Sequence, residues 1–167
     1  TDHGSMANII PFYKLMKAEK MIPIVGAEFY FVDEPSIKTP DNRKASHLIL
    51  IAKNYDGFLN MLKLSKLSYT DGYYYKPRIG IEWLTKYSEG LICLTACQGG
   101  VLAQEVWKDS RGEKSNLTGR FQQFKAIFGK DFYVEFQAHN TVNTDKETGE
   151  HFNSQELINA ALYKLRK

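Results

Sequence analysis

A chain of 167 residues, 43% hydrophobic and 25% charged, has the make-up of an ordinary soluble globular domain with a proper core. The net charge of +3 is too mild to argue for a nucleic-acid binder by itself, and no apolar run approaches the roughly 18 residues of a membrane span. Cys93 and Cys97 form no CxxC pair and no signal peptide is visible, so a reducing, cytoplasmic compartment is expected rather than a disulfide scaffold. The sequence opens at Thr1 inside a motif, which leads us to expect part of something longer.

That motif is Thr1-Asp2-His3-Gly4, which sets a carboxylate and an imidazole at a strand end, where open α/β folds and barrels gather their chemistry. Ser5 can cap the next helix. The spacing of Ile9, Phe12, Tyr13 and Met16 predicts that helix over 6–20, with Lys14, Lys17 and Lys20 outward. Residues 22–32 read as a buried strand, broken by Pro23 and Gly26 and carrying Glu28. A carboxylate in such a place either pairs with a lysine or ligates a metal, and this stretch alone favours neither. Residues 33–46, with Pro35 and Pro40, read as a loop, and His47 opens a second apolar strand over 47–52.

Asn54 or Asp56 then caps a helix through Leu67, with Phe58, Met61, Leu62 and Leu64 on its apolar face. Residues 69–78 form an aromatic and basic loop. Its tyrosines can stack on bases, though packing over a helix end is the commoner use, and Lys76 and Arg78 are candidate phosphate ligands. A short helix over 81–87 and a strand over 91–96 lead to Cys97. The Gly99-Gly100 pair is a weak candidate for a phosphate cradle before a helix ending near Trp107. A charged loop (108–117) precedes a helix over 118–128 that Gly129 terminates. Residues 132–137 read as a strand followed by His139, and 140–152 as a polar loop with an exposed His151. The last helix, 153–167, turns Leu157, Ile158, Ala161, Leu162 and Leu165 inward.

Strands alternating with helices predict an α/β fold of right-handed crossover units in a mostly parallel sheet, open or closed into a barrel. His3, Glu28, His47 and His139 all fall at or near strand boundaries and are expected to share one site. Imidazole with carboxylate suits Zn²⁺, Mn²⁺ or Fe²⁺ rather than Mg²⁺ alone, and a cluster of two or three such ions activates water and clamps a phosphoester.

At these residues the sequence resembles a known family. Thr1-Asp-His-Gly4, Gly26-Ala-Glu28 and His47-Leu-Ile-Leu-Ile-Ala-Lys-Asn54 look like the PHP (polymerase and histidinol phosphatase) domain. Tyr74-Tyr-Lys-Pro-Arg-Ile79, Ser88-Glu-Gly-Leu-Ile92, Cys97-Gln-Gly-Gly100 and Phe132-Tyr-Val-Glu-Phe-Gln-Ala-His139 narrow the likeness to the version found in bacterial replicative DNA polymerase III α subunits. The resemblance covers nearly the whole chain. It implies a distorted seven-stranded β/α barrel, here truncated at both ends, with a metal cluster at the C-terminal ends of the strands. His3, Glu28, His47 and His139 match ligand positions of the family, and Asp2 matches an acidic position that ligates or orients a ligand. Cys97 matches a family cysteine to which no chemistry is assigned. The family's His-x-His and Asp-x-His motifs would lie before Thr1 and after Lys167.

The activity implied is metal-dependent phosphoester hydrolysis, of 3′–5′ exonuclease or pyrophosphate-removing type, within a DNA-directed DNA polymerase. Its Mg²⁺-dependent palm is absent from this sequence. The partners implied are DNA, a proofreading exonuclease subunit and other replisome subunits, in a bacterial or phage-encoded setting. A scaffold that braces the polymerase and docks the exonuclease is the second reading. A free-standing phosphatase of the histidinol-phosphatase type is the third.

Overall fold

A computed structural model describes residues 1–139, 142–144, 149 and 151–165. A two-residue strand, β1 (Asp2–His3), leads through helix α1 (Ile9–Ala18) to β2 (Gly26–Phe31). A polar loop with one 3-10 turn at Pro40–Asn42 returns the chain as β3 (Ser46–Ala52). Helix α2 (Tyr55–Thr70) starts where the Gly57 N–H donates to Asn54 Oδ1 at 2.9 Å, the cap that the sequence anticipates. Then come β4 (Arg78–Ile79), α3 (Ile81–Tyr87), β5 (Leu91–Leu94), α4 (Val101–Ser110) and α5 (Leu117–Phe128), which ends at Gly129. The strand β6 (Phe132–Tyr133), a small hairpin of β7 (Val142–Thr144) and β8 (His151–Asn153), and α6 (Ser154–Lys164) complete the described chain.

The fold is mixed α/β around a six-stranded sheet of order β1-β2-β3-β5-β6, with β4 also pairing β2. One edge of β2 is lined along its length by β3. The other edge receives β1 against Ala27 and Glu28 and β4 against Tyr30 and Phe31. The mostly parallel sheet expected from the sequence is corrected here: β2–β3 and β3–β5 are antiparallel, while β1–β2, β2–β4 and β5–β6 are parallel. Between β2 and β3 there is no crossover helix, and without one the polar loop lays the chain straight back beside the strand it left. Among the described residues no pairing joins β6 back to β1 or β4, so the sheet is open rather than a closed barrel.

Strand alternation divides the chemistry from the core. Ala27, Phe29, Phe31, Leu48 and Leu50 point to one face, where they pack with Met61 and Leu64 of α2, Leu84 of α3, Leu102 of α4 and Phe124 of α5. The register His3↔Glu28, Glu28↔Ile49 and Tyr30↔His47 sets His3, Glu28, Tyr30 and His47 on the opposite face.

Some sequence expectations need correcting in detail. The strand foreseen over 22–32 begins only at Gly26, and Ile22 and Ile24 stand in solvent. On α1 only Ile9 is buried, while Phe12 and Tyr13, expected inward, are exposed. The strand foreseen over 132–137 stops after Tyr133. Its neighbour β5 ends at Leu94, Ala96 turns the backbone with φ +61°, and Glu135 N–H donates to the Thr95 hydroxyl instead of to a ladder carbonyl.

Gly57 marks a close approach of two segments, because a Cβ there would meet the Gly90 carbonyl oxygen at 1.9 Å. An exposed helical Gly→Ala change ordinarily stabilises by about 1 kcal/mol. At Gly57 the clash is with backbone, so Gly57→Ala is expected to destabilise by about 1–3 kcal/mol, read as a lowered urea midpoint. At Gly119, where only the Asn116 side chain stands in the way, the loss is expected to be absent.

Candidate metal centre

Glu28 lies mid-sheet, flanked by β1 and β3, with its side chain 9% exposed. One of its oxygens, Oε1, lies 2.6 Å from His3 Nδ1 and 3.3 Å from His47 Nδ1. Two imidazoles from the neighbouring strands thus close on one buried carboxylate. The carboxylate's partners are these histidines and not a lysine, so the lysine pairing considered for the Glu28 stretch is not formed. His3 is the exposed member and His47 the sheltered one, with side chains 71% and 26% accessible. Burial lowers the His47 pKa from its ordinary 6.5. The Glu28 charge opposes that shift, and Lys76 and His3 add to it. His47 is therefore held towards the neutral form, the form in which imidazole ligates a metal.

Behind His47 stand residues that sequence reasoning does not place in the site. Cys97 Sγ is 3.6 Å from His47 Nδ1 and accepts the Gly99 N–H at 3.4 Å. The His47 backbone N–H donates to the Gly99 carbonyl, and a Cβ on Gly99 would come within 2.8 Å of His47 Nδ1. Gly99, of the glycine pair read as a phosphate cradle, thus gives the His47 ring its room. Tyr30 covers the ring edge-on, centroid to centroid 5.6 Å. The signal for Tyr30 is present in the sequence, two residues from Glu28 and so on the same face of the strand.

None of the remaining candidates hydrogen-bonds or ion-pairs with His3, Glu28 or His47. His139 is exposed in a recess of about 400 Å³ lined by Gln137, Asn153, Gln155, Glu156 and Asn159, which none of His3, Glu28 and His47 lines. Asp2 accepts from Asn8 Nδ2 at 3.2 Å and thus ties the start of α1, with its carboxylate in no ion pair or hydrogen bond to His3 or Glu28. Lys76 Nζ sits 4.2 Å from the centre of the Tyr30 ring. Arg78 is fully buried and donates to the carbonyls of Gly72, Asn42, Pro35 and Ile37. The expectation that Arg78 binds phosphate is corrected on that ground, since its guanidinium is committed to the backbone. His151 is exposed as foreseen, in β8, against the Thr144 hydroxyl.

The donor set of two imidazoles, a carboxylate and a nearby thiol suits a borderline divalent ion. Among the described residues, no three His, Cys, Asp or Glu side chains are arranged about a common point as metal ligands. Here the donors hydrogen-bond to one another.

The PHP domain model matches residues 1–139 of this sequence. The chain belongs to the PHP domain family. Its similarity extends to DNA polymerase III subunit alpha of Borreliella burgdorferi, 43% identical over 148 residues, covering 87% of this chain and 13% of that protein. The subunit of the same name from Aquifex aeolicus is 45% identical over 148 residues, covering 84% and 12%. That of Helicobacter pylori is 35% identical over 150 residues, covering 86% and 12%. This PHP chain therefore spans about an eighth of the length of these relatives. No helix among its described residues is long and apolar enough to cross a membrane.

Proposed function

We propose that residues 1–167 are the PHP portion of a DNA polymerase III α subunit taking part in DNA replication, carrying a metal-dependent phosphoesterase site of 3′–5′ exonuclease type. The observation that carries the site is the convergence of His3 and His47 on the buried Glu28 carboxylate, on the sheet face opposite the core. His3, Glu28 and His47 would hold a Zn²⁺, Mn²⁺ or Fe²⁺ ion, with His139 as a further ligand. Bound there, such an ion would lower the pKa of a coordinated water and neutralise charge on a phosphoester. The protein's own part is to keep His47 neutral by burial and to aim both imidazoles from paired strands. Polymerisation itself, DNA, a proofreading exonuclease subunit and other replisome partners belong to the whole subunit in this reading, in the bacterial cytoplasm.

These 167 residues contain no His-x-His motif, so the full cluster implied by the family is out of reach of this chain alone. We expect the isolated chain, stripped with chelator and then dialysed against Zn²⁺ or Mn²⁺, to retain at most one ion. Turnover of bis(p-nitrophenyl) phosphate is expected to be slow, and both metal and turnover should vanish in His47→Ala. A chain that takes up no metal would favour the bracing scaffold. Metal content unchanged in His139→Ala would remove His139 from the site.

A further inference from the structure

The aromatic and basic stretch at 73–76 does not enter the site directly, yet its Lys76 lines a recess near it and its Tyr75 adjoins that recess through Arg43. Pro40, Arg43, Lys44 and Ala45 line the rest of the recess, around a volume of about 420 Å³. No carboxylate among the described residues lies within ion-pair distance of Arg43, Lys44 or Lys76. Glu113, which feels the Lys44 charge, is itself held by Arg111. The Arg43 guanidinium lies over the Tyr75 ring at 4.1 Å, and Tyr75 as a residue is 62% exposed. Tyr75 occupies the left-handed region at φ +60°, a conformation costly for a residue with a side chain. A one-residue turn holds it there, with the Tyr74 N–H bonded to the Lys76 carbonyl. The turn leaves Tyr75 largely exposed beside Arg43 and Lys76.

The recess also connects to the metal-capable face. Lys76 lies over Tyr30, and Tyr30 lies against His47. Cations that track a phosphate backbone, an exposed ring on which a base can stack, and an end at the hydrolytic site are the parts of a single-strand track. We propose that this recess binds single-stranded DNA, its phosphates on Arg43, Lys44 and Lys76 and a base on Tyr75, with the strand leading past Lys76 towards Glu28 and His47. The direction of the strand rests on the phosphoesterase reading; the binding itself does not.

The test is anisotropy of a fluorescein-labelled oligothymidylate titrated with the 167-residue chain in EDTA, where metal chemistry is silent. Lys76→Ala and Arg43→Ala are each expected to weaken binding several-fold and to reduce the salt slope by about 0.7 per lost phosphate contact. Tyr75→Gly removes the ring and relaxes the strained turn, and should weaken binding about ten-fold with the slope unchanged. Far-UV circular dichroism confirms that each variant is folded. Equal affinity for wild type and all three folded variants would overturn the proposal. So would displacement of the oligonucleotide by polyglutamate at matched charge, which would make the recess a site for an acidic protein segment. Loss of binding in the variants combined with no metal uptake would sink the phosphoesterase reading and leave the track standing. Metal uptake with variant-independent DNA binding would do the reverse.

Discussion

Replacing Arg78 with methionine is expected to lower the unfolding free energy by about 4 kcal/mol. The guanidinium is wholly enclosed and donates four hydrogen bonds of 2.6–3.2 Å to backbone carbonyls. Three of those carbonyls, Pro35, Ile37 and Asn42, belong to the loop between β2 and β3, and the fourth, Gly72, lies just past α2. Methionine fills similar volume but takes the donor from the enclosed carbonyls of Pro35, Asn42 and Gly72, Ile37 alone keeping the Asn42 amide, and it is that asymmetry that makes the loss large. Arg78→Lys should recover little, because one ammonium cannot reach acceptors that a planar fork spans. Urea denaturation reads the effect. An unchanged midpoint in Arg78→Met would mean that the loop holds its shape without the arginine.

Glu28→Gln is the second large effect, and it is electrostatic. We expect metal affinity to fall by about 100-fold or more, as judged by competition with a chromogenic chelator, because the charged member of the donor set is lost. In the metal-free chain the same substitution should push the His47 pKa further down, since the Glu28 charge is what raises it against burial. Proton NMR of the imidazole resonances gives this directly. Stability is linked to the same shift. A histidine whose folded-state pKa lies below its ordinary 6.5 binds fewer protons folded than unfolded, so its contribution is present above 6.5 and declines as pH falls. Glu28→Gln should steepen that decline. A His47 pKa that rises on substitution would show that the pair is not in contact in solution.

Local signals in the sequence carry a long way. Asn54 before an apolar helical pattern and Gly129 after one mark the ends of α2 and α5, because caps are decided within a few residues. Glu28 and His47 are legible as candidates because each stands in or beside an apolar run, and His3 because it stands in the Thr-Asp-His-Gly motif. Their mutual contact comes from register, which alternation then propagates. Strand direction is not legible, since a period of two is the same whichever way a strand runs; the antiparallel return of β3 depends on a loop whose composition says only that it is a loop. Arg78 misleads for a related reason. Its acceptors are carbonyls as far away as position 35, and a carbonyl has no signature in the sequence. Cys97 and Gly99 reach His47 across about fifty residues of chain for which no spacing rule exists.

The site joins two parts of unequal firmness. Glu28 and His47 sit on the longest-paired strands of the sheet, whereas His3 comes from a two-residue edge strand tied down by a short parallel register and the Gly4 N–H to the Glu28 carbonyl at 2.7 Å. Opening such an edge exposes little apolar surface, so its free energy lies far below that of global unfolding. The donor set is thus complete only in the fraction of molecules with β1 docked, and any ion that needs His3 binds with its affinity reduced by that fraction. Conversely, the ion would hold β1 in place, and amide hydrogen exchange at His3 and Gly4 would slow on loading while β3 stayed as it was. With an ion bound through His3, occupancy of the site and the order of β1 would be one equilibrium.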